Sequence, residues 1–162
     1  MARLKLGTLI QYLIVVDLLF ESIIIKTTAL EVRACGGKKP LPLGVEVDGC
    51  EKEPCKVVNK KKIHFAIDFE APEDTNTLKA HAEAYLDNVQ LPYEVPKEDL
   101  NACKFLKNTE CPIKKGQQIH YELIAPVDAP VTGPTVDLKF ELKDEHGNSV
   151  FCIKAKVTIV ER

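Results

Sequence analysis

Ser149 and His146 are the first pair in this chain whose types and spacing could do chemistry. With a carboxylate they would form a relay in which the serine hydroxyl attacks an acyl group. Ser149 is the sole serine after position 29, however, and it follows Asp144-Glu145-His146-Gly147-Asn148, a stretch that reads as a hairpin turn. A polar turn is the stronger reading of both residues, and an esterase the weaker one. His64, His81 and His120 alternate with apolar neighbours and fall on the solvated faces of strands, and no two histidines have a spacing that would share a metal. Acidic residues are numerous, but no two stand out as an acid/base pair. There is no glycine-rich phosphate loop, and the lysines are scattered rather than clustered with aromatics, so nucleic acid is not an expected partner. The expectation is a protein that is not an enzyme, with no catalytic residues, no metal and no cofactor.

The remaining reactive groups are six cysteines, Cys35, Cys50, Cys55, Cys103, Cys111 and Cys152. All follow a segment laid out like a secretory leader. It has a basic start at Arg3 and Lys5, an apolar stretch from Leu6 to Phe20 and at Ile23-Ile24-Ile25, and the small residues Thr27 and Ala29 before a cut after Ala29. Asp17 and Glu21 interrupt the apolar stretch and leave no run of ~18 apolar residues for a membrane anchor. We expect residues 1–29 to be removed and residues 30–162 to form one secreted domain, with the endolysosomal lumen as a further destination. Loss of Arg3, Lys5, Lys26, Asp17 and Glu21 reduces 22 basic and 24 acidic residues to 19 and 22, a net charge of −3. An even number of cysteines behind a leader reads as a disulfide framework, with many pairings open. Cys50 with Cys55, and Cys103 with Cys111, are attractive because they are local. They leave Cys35 to join Cys152.

The elements that must hold these cysteines are strands. Ile63, Phe65, Ile67 and Phe69 alternate with polar residues or alanine, as do Ile119, Tyr121 and Leu123. So do Val136, Leu138, Phe140 and Leu142, and then Phe151, Ile153, Ala155, Val157 and Ile159. Residues 78–86 place Leu78, Ala80, Ala82, Ala84 and Leu86 on one side, and Leu43, Val45 and Val47 suggest a further strand. A period of two with one apolar face means half-buried strands. Proline, glycine and acidic clusters at 71–74, 92–96, 126–134 and 144–148 separate the runs. Six or seven such strands in one domain predict an all-β, immunoglobulin-like sandwich of two antiparallel sheets.

The inner face has an unusual composition. Ala80, Ala82 and Ala84 stand where a filled sandwich would carry larger side chains, facing Phe65, Phe140 and Ile153. Small residues there either draw the sheets together or leave an apolar cavity. An empty space of ~300 Å³ would cost on the order of 7 kcal/mol. Three disulfides at ~2–4 kcal/mol each could offset it.

Several segments carry a family resemblance: Cys35-Gly36, the loop Cys50-Glu51-Lys52-Glu53-Pro54-Cys55, Glu110-Cys111-Pro112-Ile113-Lys114-Lys115-Gly116, and the hairpin from Leu142-Lys143-Asp144 to Phe151-Cys152. From about Cys35 to Val160 the chain resembles the ML lipid-recognition domains, and within them the arthropod branch of the Niemann–Pick type C secretory sterol carriers. The resemblance implies the pairing Cys35–Cys152, Cys50–Cys55 and Cys103–Cys111, and an apolar cavity between the sheets that takes a hydrophobic ligand. It implies a mouth at Tyr93, with Leu91 beside it, and a facing lip at Val127 and Val131. Val47, Val57, Ile63 and Phe65 would form the wall from one sheet, and Leu138, Phe140 and Ile153 that from the other, with Ala82 and Ala84 leaving the room. Phe140 and Ile153 stand where vertebrate sterol carriers have tryptophans, so fatty acids and hydrocarbon-like semiochemicals join sterols as expected ligands. The implied protein is a monomeric carrier that hands its ligand to a membrane lipid transporter or receptor. The alternative is an extracellular lipid-recognition protein in innate immune signalling, which favours a basic rim; Glu94 and Lys97 together beside Tyr93 do not make one.

Overall fold

A computed structural model of the protein describes residues 29–161 and contains nine strands. They are β1 (Arg33–Ala34), β2 (Gly44–Val47), β3 (Cys55–Val58), β4 (Lys62–Glu70), β5 (Lys79–Leu86), β6 (Val89–Leu91), β7 (Gln118–Pro126), β8 (Thr135–Lys143) and β9 (Ser149–Val160). One turn of 3-10 helix, Ala102–Phe105, lies in the connection between β6 and β7. The expected leader falls outside the described residues except for Ala29.

A six-stranded sheet runs β1-β9-β8-β5-β6, with β3 also on β9, and a three-stranded sheet runs β2-β4-β7. All six expected runs are strands. The three additional ones, β1, β3 and β6, hold two to four residues each, too few for a periodic pattern to show. The pairing is antiparallel except between β3 and β9, where Cys55 lies level with Val157 and Val58 with Val160. The tight Cys50–Cys55 turn sends the chain from the smaller sheet to the larger one. Val57, expected in the wall with Val47, therefore belongs to the opposite sheet.

Alternation fixes the faces. Ala80, Ala82 and Ala84 pair with Leu142, Phe140 and Leu138, and those in turn pair with Phe151, Ile153 and Ala155, so all nine face inward. The outer face of β8 and β9 is not wet throughout, as the pattern suggested. Glu141 is 1% exposed and Cys152 fully buried because the N-terminal segment crosses them. The Cys152 amide donates to the Pro40 carbonyl at 2.9 Å, and Lys39 Nζ reaches Glu141 Oε1 at 2.7 Å. Burial alone would raise the Glu141 pKa, but contacts from Lys39, Ser149 and Lys143 outweigh it and hold the carboxyl below its ordinary value. The bridges are Cys35–Cys152, Cys50–Cys55 and Cys103–Cys111. The first fixes the crossing segment to β9.

Candidate ligand-binding site

Burial along the inner face is complete at one end of the sandwich and uneven toward the other, where half-buried side chains alternate with enclosed ones such as Ala84 and Val157. At the end carrying the β4–β5 and β8–β9 connections, the interior is sealed. Ala71, Leu78, Ile113, Phe69, Ile119, Leu142, Val150 and Phe151 are each at most 2% exposed. At the opposite end meet the β3–β4 turn, the β5–β6 hairpin and the β7–β8 loop. There Ile63, Phe65, Ala82, Leu86, Val136 and Leu138 are only half-buried although they face inward. The three-stranded sheet does not cover the whole inner surface of the six-stranded one.

Aromatic rings close the interior between these two regions. Phe65 of β4 meets Phe140 of β8 edge-on across the sheets, with centroids 5.4 Å apart. Tyr121 of β7 lies 6.2 Å from each of them. Below, Phe69 and Phe151 span the sheets at 5.1 Å. Phe105, from the 3-10 turn, stacks edge-on to Tyr121 at 6.1 Å. Edge-on and tilted pairs at these separations are favourable ring arrangements. They form a floor beneath the half-buried end.

The candidate contact residues gather above or in this floor. Phe65, Ile63, Val47 and Val127 are half-buried, as are Leu138, Ala82 and Leu91. Phe140, Ala84, Val57 and Ile153 are more enclosed, at 6–9% exposure. Ile153 packs with the sealed core, whereas Val57 belongs to a second buried cluster with Leu30, Cys50, Cys55 and Val157, against which Val47, Ile63, Val127, Val136 and Leu138 pack. Tyr93 and Val131 stand on the rim at 44% and 63% exposure, and Val89, which the pattern did not single out, is 65% exposed there. Gln90, Leu91, Pro92, Tyr93 and Glu94 line an open, half-polar depression of about 530 Å³. A larger one of about 640 Å³ lies beside the Cys50–Cys55 loop; its lining is polar and apolar in about equal parts and contains Val47 from the candidate set.

Local hydrogen bonds set the rim. Asp87 and Asn88 both have positive φ, the backbone that a two-residue hairpin between twisted strands requires, and so place β6 and Leu91 beside Ala84. On the other lip, Asn59 clamps the β7–β8 loop: its Nδ2 donates to the Ala129 carbonyl and its Oδ1 accepts from the Ala129 amide, both at 3.1 Å. Lys60 pairs with Asp128 there. Asp99, between Tyr93 and the 3-10 turn, is 8% exposed. Burial raises its pKa first, and Glu98 adds to the rise. Tyr93 and Tyr121 are also raised, by burial first and then by Asp99.

Polar chemistry lies elsewhere. His146 is exposed and 3.9 Å from Glu145, while the buried Ser149 hydroxyl lies beside Glu141 without a well-formed hydrogen bond. On the outer face of the smaller sheet, His120 Nδ1 contacts Asp68 at 2.6 Å and its Nε2 contacts Glu122 at 3.0 Å, while His64 contacts Asp48 at 3.3 Å. Among the described residues, no three histidines, cysteines or acids are grouped to hold a metal ion. Phe105, Leu86 and Asp99, which border these candidate residues, were not among those expected from the sequence. Leu86 and Tyr121 had a signal in their alternating runs, those of β5 and β7, whereas Phe105 and Asp99 had none.

Two unequal sheets packed face to face, sealed at one end and carrying half-buried apolar side chains at the other, define an all-β sandwich. The sequence profile of the ML domain matches residues 29–159, and the chain belongs to that family. It is 28% identical over 126 residues to the NPC intracellular cholesterol transporter 2 of Danio rerio, covering 78% of this chain and 82% of that one. It is 25% identical over 140 residues to the NPC intracellular cholesterol transporter 2 homolog a of Drosophila melanogaster, covering 85% and 93%. The fold superposes on a Niemann-Pick type C2 protein from Japanese carpenter ant with a TM-score of 0.70 at 22% identity, over 80% of this chain and 99% of that one.

Proposed function

We propose that the protein is a secreted carrier, not an enzyme, which binds a sterol, fatty acid or similar lipid between its sheets. The observation that carries this reading is the uneven inner face: apolar side chains of both sheets left half-buried above a floor of rings. Apolar surface at an interior position stays wet only at a cost of ~25 cal/mol per Å², which an apolar ligand would recover. The names of the Danio rerio and Drosophila melanogaster relatives, both cholesterol transporters, support a lipid as the ligand. Tyr93, Leu91, Val127 and Val131 form the entrance, and Phe65 and Phe140 the floor. Few polar groups face the interior, so selectivity is broad, because one methylene in an apolar pocket is weakly discriminated. Recognition of an anionic lipid in immune signalling is the alternative reading; at the lip Lys60 pairs with Asp128, while Lys61 and Lys62 are exposed beside Val127 and Pro126. The test is displacement of a bound naphthylamine probe by cholesterol and by palmitate, together with mass spectrometry of lipid extracted from protein purified from its source. Failure of every long-chain lipid to displace the probe overturns the proposal.

A further inference from the structure

Strand pairing gathers lysines that are scattered along the chain. On the outer face of the six-stranded sheet, Lys154 of β9 lies level with Arg33 of β1 on one side and with Lys139 of β8 on the other. Lys79 of β5 lies level with Lys143 of β8. Like charges directly opposite one another weaken a sheet. Lys156 is the next outward residue of β9, and Lys56 of β3 stands level with Thr158, the one after it. Carboxylates answer only part of this charge. Arg33 pairs with Asp137 and Glu53, Lys139 with Glu83, and Lys39 and Lys143 share Glu141. Among the described residues, Lys56, Lys79, Lys154 and Lys156 join no ion pair. The outer face of the smaller sheet has the opposite sign: Glu46, Asp68, Glu70 and Glu122 stand there against Lys62 and the two histidines His64 and His120. A chain with a net charge of −2 is thus divided into an acidic face and a basic one.

We propose that the basic face, centred on Lys154 and Lys156, binds a sulfated polysaccharide. Its cations stand about 5 Å apart between strands and about 7 Å apart along β9, in an open plane. That array suits a chain of closely spaced fixed charges rather than one small anion, and each ammonium offers donors to sulfate oxygens. A lipid bilayer fits less well, because a surface-bound protein anchors through apolar side chains. The large apolar residues left exposed are Leu41, Leu43, Val89, Tyr93, Ile124 and Val131, and none of them lies on β5, β8 or β9. The choice of a polysaccharide over nucleic acid rests on the secreted-carrier reading above; the basic face itself does not.

The experiment is calorimetric titration of the folded, disulfide-bonded protein with heparin, beside duplex DNA and phosphatidylserine vesicles. Lys154→Gln with Lys156→Gln should weaken heparin binding about 2- to 30-fold, the usual worth of two exposed charge pairs. Lys56→Gln alone should weaken it about 1.4- to 5-fold. Rising salt should weaken binding of the wild type steadily. The control is Lys114→Gln with Lys115→Gln, which removes the same charge where the lysines already pair with Asp74 and Glu73, and it should leave the affinity unchanged. Absence of heparin binding at low salt overturns the proposal, as does equal weakening by the two double substitutions, which would make net charge the cause. Tighter binding of DNA or of vesicles than of heparin overturns the polysaccharide. Lipid displacement without heparin binding removes this proposal and leaves the carrier reading; heparin binding without lipid displacement does the reverse.

Discussion

Ala80 and Ala82 are alternate residues on one face of β5, and their replacement by leucine separates a sealed interior from an open one. Ala80 is 1% exposed and pairs with the fully buried Leu142; Ala82 is half-buried and pairs with Phe140 at the floor. In the sealed region a larger side chain overpacks the core, at ~1–3 kcal/mol. At about 4 °C per kcal/mol for a domain of this size, Ala80→Leu should lower the melting temperature by roughly 4–12 °C. Ala82→Leu should leave it nearly unchanged, since the added carbons enter half-wet apolar space. Those carbons would then exclude about three methylenes of ligand, at ~0.8 kcal/mol each. The loss is about 2.4 kcal/mol, or roughly 60-fold in affinity. Differential scanning calorimetry of the lipid-free variants and probe displacement by palmitate read the two effects. Equal destabilisation by both substitutions would show that the inner face is closed along its whole length. Unchanged affinity in Ala82→Leu would place any ligand elsewhere.

Tyr93→Ala, on the exposed rim, should weaken lipid binding in the same displacement assay while the melting temperature stays within a degree or two. Replacing Cys35 and Cys152 together by alanine should destabilise more than replacing Cys50 and Cys55. The bridges span 117 and 5 residues, and the loop-entropy difference is about 2.8 kcal/mol, or roughly 11 °C in melting temperature. The His120 pKa is raised, first by its hydrogen bond to Asp68 and then by Glu122, with Lys107 and His64 also facing Glu122. The stability it adds is therefore complete below its ordinary pKa and is lost as pH rises through the folded value. His120→Gln should cost stability near pH 5.5 and little near pH 9, by urea titration at each pH. Glu83 behaves oppositely: Lys139 first, then His81 and Tyr85, hold it down to about 2. Glu83→Gln should cost stability at neutral pH, with the difference vanishing as pH falls toward 2.

The strands and their faces were legible in the sequence because a period of two is local. Ile63, Phe65, Leu138, Phe140 and Ile153 declare their side of a sheet through their immediate neighbours, and proximity along the chain made the two short disulfides attractive among the open pairings. The mouth and lip residues came from the family resemblance, carried by the cysteine-bearing segments rather than by any local pattern. What tertiary structure alone decided are the facts that join distant segments. The parallel pairing of β3 with β9 moved Val57 to the opposite sheet, since the direction of the chain after the Cys50–Cys55 turn depends on which edge is free. Burial of Glu141 and Cys152 depends on an N-terminal segment that crosses a face the alternation marked as wet. Phe105 and Asp99 belong to an irregular connection with no period to read, and only the packing of that connection against β7 brings them to Tyr121. The difference between sealed and half-buried apolar residues has no counterpart in composition, because Ala80 and Ala82 are the same residue on the same face. It arises because three strands lie across six and cover one end of them better than the other.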